Sequence, residues 1–275
     1  MRAQIKKRKM LWSVVLAASV ALAQGSVMAD EHDDSGGKKC ADLPSYQALT
    51  GALDAVVNGL DGANGGLGND MWATVVNRDG AVCVVTRSGD DRGDQWPGSR
   101  VISAQKANTA NAFSLPQAAK GFPFPLSTAN IYSPVQPGGS LFGLQFSNPV
   151  DTSVAYRGNA KQYGTSADPM RGGKIGGINV FGGGLALYDT NGKLIGAIGV
   201  SGDTSCADHV IAWKVRHRLN LDNVAGGVSD SGTDNIIFFG SGETFDPAFG
   251  HPICGFGADV IAGGLPATHP VGPAP

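Results

Sequence analysis

Met71-Trp72-Ala73-Thr74-Val75-Val76-Asn77-Arg78-Asp79-Gly80-Ala81-Val82-Cys83-Val84-Val85-Thr86-Arg87 reads as two strands around a tight turn. Asp79-Gly80 is a hairpin signal, because Gly80 can take a positive φ with no Cβ to clash. The flanking runs are rich in β-branched residues. Strands joined by so short a turn are antiparallel, and that commits the sheet. Asn191-Gly192 repeats the signal between residues 185–188 and 194–200, with 178–181 as a further strand candidate. Around these strands the spacing predicts helices over 45–60, 101–113 and 203–221. The fold class that follows is α+β: an antiparallel sheet with flanking helices in a single domain, not a doubly wound parallel sheet.

The first helix carries Leu49, Leu53, Val56 and Leu60 at helical spacing, with Pro44 and Ser45 as start signals. The second is rich in alanine, and the third starts at Asp203, Thr204 or Ser205 as cap. Residues 115–174 form a long stretch with many prolines and scattered aromatics, Tyr132, Phe142, Phe146, Tyr156 and Tyr163 among them. A loop of that length is either functional, as a lid, or an insertion that covers the sheet. After Gly226-Gly227 the chain is glycine-rich, with one short strand candidate at 236–239.

At the other end, Arg2, Lys6, Lys7, Arg8 and Lys9 precede an apolar run over 10–23, and small residues lead to Ala29. This is the pattern of a cleavable signal peptide over residues 1–29. The run is short of the roughly 20 residues a membrane span needs. An acidic, apolar-poor segment follows, so 30–43 is expected to be a disordered spacer. The whole chain has 21 basic and 23 acidic residues; without the five basic residues of the signal, 16 face 23, a net charge of −7. Such a balance argues against nucleic acid, whose phosphates require Lys and Arg. Cys40, Cys83, Cys206 and Cys254 all follow the cleavage point and lack zinc-ligand spacing. In an oxidising compartment, periplasmic or extracellular, four cysteines make two disulfides. Of three pairings, Cys206–Cys254 with Cys40–Cys83 is preferred, because the tail can return over the third helix it follows.

Familiar catalytic motifs fail. Gly199-Val200-Ser201-Gly202-Asp203 follows a strand and opens a helix like a nucleophile elbow, but Asp203 replaces the closing Gly. There is no phosphate loop, no dinucleotide fingerprint and no His-x-x-x-His pair. Asp90, Asp91 and Asp94 lack calcium-loop spacing and read as a solvated turn. The third helix is more informative. Ile211, Val215 and Leu219 make its apolar stripe, while His209, Trp213 and His217 follow one another at i+4 on roughly the opposite side. His209 and His217 lie about 12 Å apart along the axis, too far to share one ion. Trp213 therefore needs a second cover: the tail, a neighbouring subunit or a flat apolar ligand.

Three blocks resemble the GlcG/HbpS family of haem-binding or haem-degrading domains. They are the hairpin Val75–Arg87, the helix Ser103-Ala104-Gln105-Lys106-Ala107-Asn108-Thr109-Ala110-Asn111-Ala112-Phe113, and Ile195-Gly196-Ala197-Ile198-Gly199-Val200-Ser201-Gly202 followed by Asp208 and Ile211-Ala212. The resemblance assigns residues 44–225 to the domain, with 115–174 long for the family and 226–275 as a C-terminal extension. It implies an antiparallel sheet with flanking helices, assembly into homo-oligomers, and an exported protein that binds haem or a related tetrapyrrole; the alternative is a small-molecule enzyme, with oxidative haem degradation as the example. Haem needs an apolar wall, a donor to iron and a partner for its propionates. His209, Trp213 and His251 are the expected lining, with Lys106 or Arg216 for a propionate, set against a reading in which the histidines are surface or interface residues. No catalytic residue is assigned, and the iron or metal ligand set stays open.

Overall fold

The computed structural model describes residues 40–116, 125–224, 226–239 and 248–272. Residues 1–29, expected to be a signal peptide, and residues 30–39 of the expected spacer lie outside them. Residues 40–43, expected to continue the spacer, instead form a turn closed by Leu43 N–H to the Cys40 carbonyl and held by the Cys40–Cys83 disulfide.

The elements in order are α1 (Tyr46–Val57), β1 (Trp72–Asn77), β2 (Val82–Arg87), α2 (Ser99–Phe113), the one-turn helices α3 (Leu144–Ser147) and α4 (Thr152–Ala155), β3 (Gly184–Tyr188), β4 (Leu194–Ser201), α5 (Ser205–Arg218), β5 (Phe238–Phe239), β6 (His251–Pro252) and α6 (Ala258–Thr268). Three 3-10 turns punctuate the stretch between α2 and β3. The main sheet has the order β2-β1-β4-β3 and is antiparallel throughout. The two hairpins foretold by Asp79-Gly80 and Asn191-Gly192 meet along β1 and β4, with Val75 opposite Ile198. Gly80 has the positive φ, 76°, that its turn requires.

Residues 178–181 do not join the sheet. Side chains satisfy the backbone there: Asn179 N–H donates to Thr109 Oγ1, Phe181 N–H to the Asn179 side chain and Gly182 N–H to Ser205 Oγ. With those amides occupied, no ladder forms.

The sheet is covered on both faces. On one, α1, α5 and α6 bury Leu49, Leu53, Val56, Val210, Val215 and Leu265 against Ala73, Val75, Leu187 and Ile198. On the other, α2 lies with Ala104, Ala107 and Ala110 against Trp72, Val76 and Ala197. The approach is close: a Cβ at Gly199 would stand 1.9 Å from the Ser103 carbonyl oxygen. The alanines of α2 and the glycine of β4 are thus two halves of one contact.

Part of the described stretch 115–174 covers the sheet: Ala155 and Met170 extend the α2-side core, with Ile175 just after it. Arg100 Nε donates to Asp168 Oδ2 at 2.8 Å, and its guanidinium lies 3.6 Å over the Tyr163 ring. The tail is likewise more than an appendage. β5 and β6 pair in parallel, and α6 buries Ala258, Ala262 and Leu265 in the main core. Gly263, Gly264 and Pro266 hid α6 from propensity reasoning; packing overrides them. Both disulfides have the expected pairing, with Cα atoms 5.8 Å (Cys40–Cys83) and 6.0 Å (Cys206–Cys254) apart. Among the described residues no helix is long and apolar enough to cross a membrane.

Candidate functional site

α5 is the axis around which the chemistry-bearing residues gather. Its first turn is capped by Thr204, whose hydroxyl accepts from Ala207 N–H. The Asp203 that spoiled the elbow motif serves structure instead: its carboxylate accepts from the N–H groups of Leu67 and Asn69, pinning the loop ahead of β1. Ser201 is buried at the end of β4, opposite Trp72. The serine that meets a histidine is Ser205, four residues later.

The Cys206–Cys254 disulfide brings β6 to the start of α5, as its pairing implied. His251 Nδ1 donates to its neighbour, the Pro252 carbonyl, at 2.7 Å, so its Nε2 accepts from Ser205 Oγ, also at 2.7 Å. Burial pushes His251 down to about 4. The ligating atoms of Cys206, His251 and Cys254 lie within 4.8 Å of one another, but both sulfurs are consumed in the disulfide.

One turn along, His209 is completely buried. Its Nε2 stands 3.1 Å from both the Asn235 side-chain oxygen and the Ile236 N–H, so it faces protein in either tautomer. Its Nδ1 is buried with no partner among the described residues. Burial pushes this ring also down to about 4, neutral at pH 7. Trp213 donates from Nε1 to the His269 carbonyl at 2.9 Å and packs under α6. Of the three covers its helix face required, the tail is the one found. No neighbouring subunit is needed to cover Trp213.

The two candidate propionate partners are engaged elsewhere. Lys106 Nζ, fully buried, donates to Asp208 Oδ2 at 2.6 Å and to the Val200 carbonyl at 3.0 Å, tying α2 to α5 and β4. Burial pushes Asp208 up to about 6 against the pull of Lys106, and lowers Lys106. Arg216 makes a two-point contact with Asp234, at 2.6 and 2.8 Å, and both are sealed from solvent. His209, Trp213, His251 and Lys106 therefore do share one region, but as buried ties, with the sealed Nδ1 of His209 the one ring nitrogen of the two histidines left unpartnered among the described residues. They do not fit a haem in this arrangement.

The far end of α5 differs. His217, half-exposed, directs Nδ1 to Asp222 Oδ2 at 2.7 Å. His269, from the end of α6, lies with its ring 5.3 Å from that of His217, edge to face. His217 was visible as the last of the i+4 series; His269, in the glycine-rich tail, carried no signal at all.

An antiparallel four-stranded sheet sheathed by helices on both faces defines a small α+β domain whose polar interior is spent on fastening elements together. Residues 49–216 match the family model described as haem degrading protein HbpS-like, over more than half of the chain. The chain belongs to the HbpS-like family. Among solved structures it is similar to protein ORFY of Klebsiella pneumoniae, at 24% identity over 64% of this chain and 89% of that one, with a TM-score of 0.40. It is also similar to PduOC, solved as a haem complex, at 23% identity over 64% and 91%, with a TM-score of 0.41. No curated protein matches the chain.

Proposed function

We propose that this chain is an exported binding protein for haem or a related tetrapyrrole, taken at its surface or between copies of the chain rather than in its interior. Membership of the HbpS-like family carries this reading. The geometry supports the location: the histidines and cations first expected to line a pocket are sealed and hydrogen-bonded. Apolar surface that could meet a flat ligand lies outside, where Phe142 and Phe146 are 58% and 80% exposed and pack edge-on at 6.3 Å. Export fits the two disulfides, which persist in oxidising compartments. A second reading, oxidative haem breakdown, is favoured by the description of the family as haem-degrading.

Haem titration of the mature, tag-free protein tests both. A shifted Soret band is expected in the parent and in a folded His251→Ala variant alike. An unshifted parent spectrum would remove the haem reading, and loss of the shift in the variant would return the ligand to the interior. Decay of the band on adding reductant and oxygen, with chain-dependent product, would select breakdown over simple binding. Light scattering with and without haem shows whether copies assemble around it.

A further inference from the structure

We propose that His217 and His269 form a two-imidazole site for a borderline divalent ion, Zn2+ above all, which ties the end of α6 to the last turn of α5. The first argument is the tautomers. The buried Asp222 carboxylate accepts from Nδ1–H of His217, which leaves Nε2 as the nitrogen through which the ring would bind a metal. The Nδ1 of His269 is 2.9 Å from Thr268 Oγ1. That hydroxyl has spent its one proton on the Gly264 carbonyl at 3.1 Å, so it accepts from Nδ1–H, which leaves Nε2 for a metal in His269 as well. Among the described residues neither Nε2 has a hydrogen-bond partner, so each is open to a metal.

The second argument is spacing. A Zn–N bond of about 2.0–2.1 Å places each imidazole centroid roughly 3.2 Å from the ion, and a tetrahedral angle then sets the two centroids about 5.2 Å apart. The rings of His217 and His269 are 5.3 Å apart. Asp222 behind His217 supplies the carboxylate–histidine–metal arrangement that orients such ligands. The backbone of His269 is fixed from the other side, because its carbonyl accepts from Trp213 Nε1.

The surroundings admit a cation. His217 lies in the last turn of α5, where the helix dipole favours positive charge. The two nearby cations are engaged: Lys214 Nζ donates to the Gly62 and Ala63 carbonyls and to Asn64, and Arg218 pairs with Asp61. The His217 side chain is 35% exposed and His269 is half-buried, so water can complete the coordination shell. Neither haem nor the family reading enters the argument.

The test is calorimetric titration of Zn2+ into the mature, tag-free, chelator-stripped chain carrying His32→Ala, so that the N-terminal segment adds no imidazole. Binding of one ion per chain is expected, with a zinc-dependent rise in melting temperature. His217→Gln and His269→Gln should each abolish both signals, and Asp222→Asn should weaken binding about 10- to 100-fold. Co2+ in place of Zn2+ should give visible bands consistent with tetrahedral coordination. Circular dichroism and zinc-free melting confirm that each variant is folded, and His217→Ala and His269→Ala replace any that is not. No zinc binding in the parent, unchanged affinity in either histidine variant, or loss in only one of the two would overturn the proposal.

Discussion

Arg216 and Arg218 stand two residues apart on α5, and each faces one aspartate in a two-point contact. Arg216 and Asp234 are sealed completely, whereas Arg218 is 35% exposed. The histidines divide the same way. His209 and His251, at the first half of the helix, are buried under the tail, while His217 and His269, at the last turn, are partly exposed to water. The same residue types become fasteners where the tail covers α5 and available groups where it does not. What separates them is the side of the helix they occupy, since Arg216 and Arg218 share its last turn and only Arg216 meets Asp234 of the tail.

If that division is real, the largest effect belongs to the sealed arginine. Asp234→Ala leaves Arg216 buried without its counter-charge, and should cost about 3–5 kcal/mol in urea denaturation. A cost under 1 kcal/mol would mean that water reaches this side of α5 and that the contrast is false.

The disulfide comes next. The Cys206–Cys254 link spans 48 residues. Replacing both cysteines by serine removes a constraint on the unfolded chain worth roughly 4 kcal/mol in the chain-entropy model. It should also loosen β6, so that His251 exchanges its ring proton environment for water. Chemical denaturation measures the first effect, and the His251 ring resonances in NMR report the second. A doubly substituted chain as stable as the parent would show that β6 and α6 hold the tail without the bond.

Acid should weaken the sealed end selectively. His209 and His251 are held at about 4, below the usual 6.5, by burial. A depressed histidine stabilises the fold above the unfolded value, and that contribution is lost as pH falls from 6.5 towards 4. Each is worth on the order of 3 kcal/mol. Asp208 opposes them: burial raises it to about 6, so its cost is relieved between pH 6 and the unfolded value of 3.8, by a similar amount. The three groups together leave a net loss of roughly 3 kcal/mol between pH 6.5 and 4. Guanidinium midpoints at pH 7 and 4.5 check the sum. NMR titration checks the assignment, since rings that ionise near 6.5 would place both histidines in water.

The sheet was legible because turn chemistry is local. Asp79-Gly80 and Asn191-Gly192 each set a hairpin without reference to anything distant, and both hairpins formed. The close contact of α2 with β4 was half legible: the alanines were noted, but their partner Gly199 was read as part of a failed nucleophile elbow and of a family block, not as a packing residue. The cysteine pairing followed from chain order. The candidate site was the hard part, because i+4 spacing puts His209, Trp213 and His217 on a face without saying what covers it. That depends on α6, whose glycines and proline conceal it, and on Asn130, whose side chain donates to the Asn235 carbonyl and accepts from Ile237 N–H, tying the first 3-10 turn, Thr128–Ile131, to the tail. No local pattern reports contacts across a hundred residues.

The smallest effect is the most discriminating partner to the first. Arg218→Ala removes a contact in which Nη2 donates to Asp61 Oδ1 at 2.8 Å and Nε donates to Oδ2. Hydrogen bonding to Arg218 holds Asp61 below the ordinary carboxylate range, the main cause, with burial working against it. In geometry the pair matches Arg216–Asp234; in surroundings it does not. An exposed ion pair loses most of its Coulomb energy to water and ions, so the cost should be about 0–1 kcal/mol and should shrink between 0.05 and 0.5 M salt. The cost of Asp234→Ala, by contrast, should hold across the same range, because sealed charges are poorly screened. Paired denaturation series at the two salt concentrations read both at once. Two salt-sensitive pairs would open the sealed side, and two salt-insensitive pairs would close the other. One of each is what a helix covered on one side only requires.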